Sequence, residues 1–152
     1  MIRYVTTRDP IPRAAAHDAA VAAASILARR PDMVLVYVYG STADARRPSV
    51  RDVDLALLTD RPLDADDLMR LRAELVAALR VDVDLVSLNA APIVLAHEIV
   101  ENGECLYART PDVETDFVVR ARARYWDFKP LLDAQWRMIG ERLEDRRCGP
   151  QS

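Results

Sequence analysis

The sequence predicts a mixed α+β (α/β) fold, a small mixed sheet flanked by helices and followed by a C-terminal helical tail. Three observations predict it. Short apolar runs rich in β-branched residues alternate with segments of helical periodicity. The 152 residues, 51% hydrophobic and 30% charged, are enough for one core that needs no disulfide or metal. From Phe117 to Arg146 the chain reads as one long helix or two, with Pro130 as the break or kink.

The elements follow in order. Arg13–Arg30 is Ala-rich and stops before Pro31, so it is a helix. Met33–Tyr39 (MVLVYVY) is apolar throughout, as a strand buried on both faces is. Gly40-Ser41 breaks it; Thr42–Ala45 can start a short helix, and Arg46–Arg51 is a loop. Asp52–Leu58 (DVDLALL) alternates and then turns fully apolar, a strand whose start faces solvent. After the turn at Arg61-Pro62, Asp64 caps a helix over Ala65–Leu79 with Leu68, Leu71, Leu75 and Leu79 on one face. Val81–Val86 is a third strand, Ala91–Glu101 a helix ending near Gly103, and Glu104–Tyr107 a short extended segment.

Charge and composition exclude several classes. The net charge of −3 argues against direct nucleic-acid binding by the whole surface. It is uneven: from Phe117 onward eight basic residues face five acids, a net of +3, against −6 for the rest. Apolar runs reach about seven residues, far below the ~20 of a membrane span, and no signal-type segment opens the chain. The two cysteines, Cys105 and Cys148, make neither a disulfide framework nor a zinc spacing. The expectation is a cytoplasmic protein.

Chemistry concentrates around three acids. Residues two apart on a strand share a face with Cα atoms roughly 6–7 Å apart, so Asp52 and Asp54 aim at one region. Two such carboxylates in an apolar strand repel each other and are costly unless a cation joins them; Mg²⁺ suits one or two carboxylates plus phosphate oxygens. Gly40-Ser41 ends a buried strand with a bend that lets a phosphate approach the backbone. Gly-Ser alone is common, but Asp-x-Asp opening a second apolar strand eleven positions after Ser41 is far more specific.

These residues carry a resemblance. GSTADARRPSVRDVDLALL, residues 40–58, resembles the signature of the polymerase-β-like nucleotidyltransferase superfamily, and Asp84 in VDVDLV stands where the superfamily places a third carboxylate. The segments 83–108 and 117–133 are similar to the C-terminal half of its minimal nucleotidyltransferases, so the likeness runs from about Val34 to Asp133. It implies the polymerase-β-like fold, with a nucleotidyltransferase domain over residues 1–110 and a helical extension, 111–152, packed on it. It further implies the activity of MntA-type antitoxins of HEPN/MNT systems, which move AMP from ATP to a tyrosine of a HEPN-domain RNase toxin and silence it. On that reading Gly40 and Ser41 hold the β- and γ-phosphates, Asp52 and Asp54 hold Mg²⁺, and Asp84 binds a second Mg²⁺ and helps deprotonate the attacking hydroxyl. The partners implied are the cognate toxin and ATP.

The chain departs from the family pattern twice. Asp44-Ala45 stands where Arg-Gly is usual, and Arg51 where Ser precedes the first Asp; Arg46, Arg47 or Arg51 can restore the missing positive charge. Two other functions therefore compete: a degenerate site that neutralises a toxin by binding alone, and a small-molecule nucleotidyltransferase. Of the remaining residues, Asp82 reads as a neighbour at the strand mouth, His17 as a surface residue and His97 as a packed one. Tyr125, Trp126, Phe128 and Trp136 read as core or helix-packing aromatics, with a partner surface as the alternative. Cys105 reads as buried rather than reactive, and Cys148 as a thiol at a frayed end.

Overall fold

A computed structural model describes residues 9–147. Four strands form the main sheet, in the order β5-β4-β2-β6. At its centre lies β2 (Met33–Tyr39), antiparallel to β4 (Asp52–Thr59) on one side and β6 (Glu104–Ala108) on the other. β5 (Asp82–Ser87) runs parallel to β4 at the edge. A parallel neighbour needs a crossover, and α2 (Ala65–Leu79) supplies it. Asp64 starts that helix by accepting the Asp67 N–H at 2.8 Å, and Arg80 ends it in the left-handed conformation at φ 57°.

Both faces of the sheet are covered, which is why β2 is apolar throughout. On one face, α1 (Arg13–Leu27) and α2 pack over Val36, Val38, Val53, Leu55 and Leu57. The buried face of α1 is Ala16, Ala20, Ala23, Ala24 and Leu27; small side chains let the helix lie close to the strands. On the other face Leu35, Tyr37, Ala56 and Leu88 meet Ile99 of α3 (Ile93–Asn102) and Phe117 of α4 (Pro111–Arg147). Gly103 joins α3 to β6 where a Cβ would stand 2.5 Å from the Ile99 carbonyl oxygen.

Several expectations are corrected. The segment 46–51 is not only loop: β3 (Ser49–Val50) pairs antiparallel with β1 (Ile11–Pro12) as a two-residue ribbon. The short helix after β2 is a single 3₁₀ turn that begins at Gly40, not Thr42. α4 begins at Pro111, a residue suited to a first helical position, and runs unbroken for 37 residues with Pro130 inside it. At 1.5 Å per residue it spans about 55 Å, and every residue from Gln135 to Arg147 is exposed. Trp126 and Trp136 are therefore not core: they are 62% and 69% exposed. His97 does pack, stacking on Tyr125 with ring centroids 3.6 Å apart. His17 is half-buried and bonds Glu104 at 2.8 Å. Cys105 is half-buried; burial, with Glu114 nearby, pushes its thiol up to about 11, so it stays protonated and inert. Cys148 lies outside the described residues.

Candidate active site

The site is built where β4, β5 and the end of β2 lie side by side. In-register parallel pairing sets Asp54 opposite Asp84 and Asp52 opposite Asp82. Antiparallel pairing sets Tyr39, the last residue of β2, opposite Asp54. One carboxylate oxygen from each of Asp52, Asp54 and Asp84 lies within 4.8 Å of the other two. Asp82, one strand position out, is not part of this cluster.

Three anions at that range oppose one another. Burial, then the charges of Asp52 and Asp84, push Asp54 up to about 6. Burial, then Asp84 and Asp82, also raise Asp52 above the ordinary carboxylate range. The phenol of Tyr39, half-buried beside all three, is pushed up to about 12 by burial and their charge, so it remains neutral. The oxygens of Asp52, Asp54 and Asp84 together are a donor set that suits a hard divalent cation, and their spacing fits one.

Gly40 joins this cluster to the turn. Its φ is +66°, and a Cβ there would stand 2.5 Å from Asp54 Oδ2, so no other residue lets the chain turn this close to the carboxylate. Ser41 and Thr42 complete the turn, closed by the Ala43 N–H donating to the Gly40 carbonyl at 3.2 Å. Beyond it opens a cavity of about 590 Å³, walled by Tyr39 to Ser41, by Ala43 to Arg47 and by Leu95, Glu98 and Asn102 of α3. Asp44 lines this cavity, but its carboxylate is gripped by Arg46 through two bonds at 3.0 and 3.2 Å. That contact holds Asp44 below the ordinary carboxylate range and cancels the charge that departs from the family pattern. Arg47 also lines the cavity, whereas Arg51 does not.

Two contributors escape a reading of the sequence. Thr42 is fully buried and its hydroxyl reaches the Asp52 carbonyl at 3.5 Å, tying the turn to the start of β4. Arg72 of α2 donates from Nε to the Val83 carbonyl at 2.7 Å and sets its guanidinium 3.4 Å from Asp84 Oδ1. Thr42 carried a signal in its place directly after Gly-Ser. Arg72 carried none, because eleven residues and a tertiary fold separate it from Val83.

The family model described as polymerase beta, nucleotidyltransferase, matches residues 22–112. The chain belongs to this nucleotidyltransferase family. Its Gly-Ser turn and all three carboxylates fall inside the matched span. The chain is 34% identical over 95 residues to the protein adenylyltransferase MntA of Shewanella oneidensis, covering 62% of this chain and 68% of that protein. Among solved structures it is similar to a chain of the complex between a tri-AMPylated Shewanella oneidensis HEPN toxin and an MNT antitoxin. There the TM-score is 0.69 at 26% identity, over 82% of this chain and 98% of the matched one. A toxin–antitoxin structure with AMP-PNP matches with a TM-score of 0.71 at 28% identity, over 78% and 97% of the two chains. No helix among the described residues of this nucleotidyltransferase is long and apolar enough to cross a membrane.

Proposed function

We propose that this nucleotidyltransferase is an antitoxin that transfers AMP from ATP to a hydroxyl, a tyrosine by analogy with its relatives, of a cognate HEPN-domain toxin and so silences it. One observation carries the reading: three carboxylates within 4.8 Å of one another beside a glycine-serine turn that only glycine can make. The likeness to the MntA adenylyltransferase and to antitoxin chains solved with an AMPylated toxin and with AMP-PNP supplies the donor and the partner class.

In this reading Gly40 and Ser41 bind the β- and γ-phosphates, with Arg47 adding positive charge on the same wall. Asp52 and Asp54 hold Mg²⁺, and Asp84 completes the set for a second ion. Bound there, the ions neutralise the triphosphate and stabilise charge on the attacking and leaving oxygens. The acceptor oxygen forms a bond to the α-phosphorus, the bridge to the β-phosphate breaks, pyrophosphate leaves, and Asp84 takes the hydroxyl proton. Arg72 keeps the Asp84 carboxylate turned toward that position. Fixed placement of this kind, rather than covalent chemistry by the protein, carries most of phosphoryl and nucleotidyl transfer.

Co-expression with a cognate HEPN-domain toxin tests the proposal. The wild-type chain restores growth, and the Asp52→Ala, Asp54→Ala variant co-purifies with the toxin yet leaves the cells arrested. Protection by that variant instead replaces catalysis with neutralisation by binding alone.

A further inference from the structure

The sheet face that carries Asp52, Asp54 and Asp84 continues toward the far ends of β4 and β5. Side chains two apart on a strand share a face, so Ala56 and Leu58 follow Asp54, and Val86 and Leu88 follow Asp84. Above Leu58 and Leu88, α3 and α4 leave a cavity of about 210 Å³. Ala96 and Phe117 line its apolar sides, and Arg120 and Arg124 stand at its rim, exposed to solvent. Among the described residues neither of these two guanidiniums has a hydrogen bond or an ion pair, although Arg122 between them bonds Glu101 at 2.6 Å. Like charges one turn apart on a helix oppose each other, and an anion set between them relieves the repulsion.

We propose that this cavity anchors the protein whose hydroxyl receives AMP, taking one large apolar side chain of that protein between α3 and α4 and a neighbouring carboxylate on Arg120 and Arg124. The proposal rests on the reading above that a protein hydroxyl is brought to Asp84. Size, charge and position fix the occupant. At about 210 Å³ the cavity falls below the roughly 300–1,000 Å³ of sites that enclose a whole small molecule, but it suits a single anchoring side chain. Its apolar sides select a leucine or an aromatic ring, and two unpaired guanidiniums at the rim select an acid beside it. Leu58 and Leu88 lie four strand positions beyond Asp54 and Asp84, roughly 13 Å away on the same face. A protein that holds its hydroxyl at Asp84 from this face reaches the cavity with the same surface.

Titration of the full chain with the cognate HEPN-domain toxin, without ATP so that no transfer intervenes, tests this. Arg120 and Arg124 are exposed, so the Arg120→Glu, Arg124→Glu variant folds, and its far-UV spectrum and melting curve check that it does. It is expected to bind the toxin about tenfold more weakly than the wild-type chain, with a shallower dependence on salt. Ala96→Met, which fills the cavity and leaves both guanidiniums in place, is expected to weaken binding as well. Arg146→Glu, Arg147→Glu, the same change of charge at the far end of α4, is expected to bind within about twofold of the wild type. The anchor is overturned if the reversed rim or Ala96→Met binds as tightly as the wild type, or if the remote reversal weakens binding equally. In those cases the proposed function stands as long as the wild-type chain binds the toxin and transfers AMP to it. A wild-type chain that does not bind the toxin at all takes both down.

Discussion

Gly40 and Asp54 stand against each other, and that contact decides what substitution does at this site. Alanine at position 40 would have to adopt φ +66° with its Cβ 2.5 Å from a carboxylate oxygen. Gly40→Ala is expected to cost about 1–3 kcal/mol of stability, read from denaturant melts, and to weaken cation binding by displacing Asp54. The pH dependence of Asp54 has a definite sign. In the folded chain it holds its proton up to about 6, whereas an unfolded aspartate releases it near about 3.9. Between those values the folded state binds more protons, so this residue's contribution to stability is lost as pH rises from about 4 to about 6. Asp54→Asn is therefore expected to gain stability over the wild-type chain across that window and to hold the gain above it in the metal-free protein. Urea melts of both at pH 4, 5, 6 and 7 check this; a difference that stays flat or shrinks contradicts it. Added Mg²⁺ should stabilise the wild-type chain more at pH 7 than at pH 5, because the proton and the cation compete for the same oxygens. Of the residues singled out from the sequence, Asp52 and Asp54 were legible from strand geometry, which sets them on one face, and Gly40-Ser41 from the bend it makes after a buried strand, whereas Asp84 was legible only through the resemblance to the family. Thr42 and Arg72 were not, since their bonds to Asp52 and Val83 exist only once separate elements have packed.

Among the elements, α4 settles an alternative that the sequence leaves open, since residues 117–146 read as one helix or two and form part of a single one. Its first turns pack on the sheet and α3 through Val113, Phe117 and Ala121. Past Ala134 no residue of the helix is buried, although Trp136, Met138, Ile139 and Leu143 lie there. Removing residues 135–152 is accordingly expected to leave the melting temperature within about 2 °C of the full chain, because little apolar area leaves the core. A larger drop would mean that the outer half of α4 supports the fold. Pro130 withholds the N–H that would bond the Trp126 carbonyl, a defect worth about 3 kcal/mol in a helix interior. Pro130→Ala is expected to raise hydrogen-exchange protection across residues 126–147 without moving the global melt, since that half is not coupled to the core. The sequence made α2 and β2 plain, one through its Asp64 cap and leucine repeat, the other through seven unbroken apolar residues. It could not show the β1–β3 ribbon, because two-residue strands have no periodicity to read. Nor could Pro130 reveal that the helix continues through it, because propensity favours a break and an exposed site can tolerate the defect.

For the whole molecule, the sheet order explains why the chemistry sits at one end of the strands. β2 ends at the turn that meets the phosphates in the proposed function, and β4 and β5 begin beside it, so strand ends rather than loops place the carboxylates. Rigid placement of this kind is what a nucleotidyl transfer demands. The family and the fold were legible before any coordinates, because the Gly-Ser and Asp-x-Asp spacing reflects strand ends that must meet. What covers the exposed aromatic residues of α4 was not, because a surface helix does not record its partner. The most direct test of the central claim is the intact mass of the cognate HEPN-domain toxin after incubation with this protein, Mg²⁺ and ATP. The toxin is expected to gain one or more AMP units with the wild-type chain and none with the Asp52→Ala, Asp54→Ala variant. A toxin left unmodified by folded, Mg²⁺-loaded wild-type protein, or one modified equally by the variant, would contradict the account.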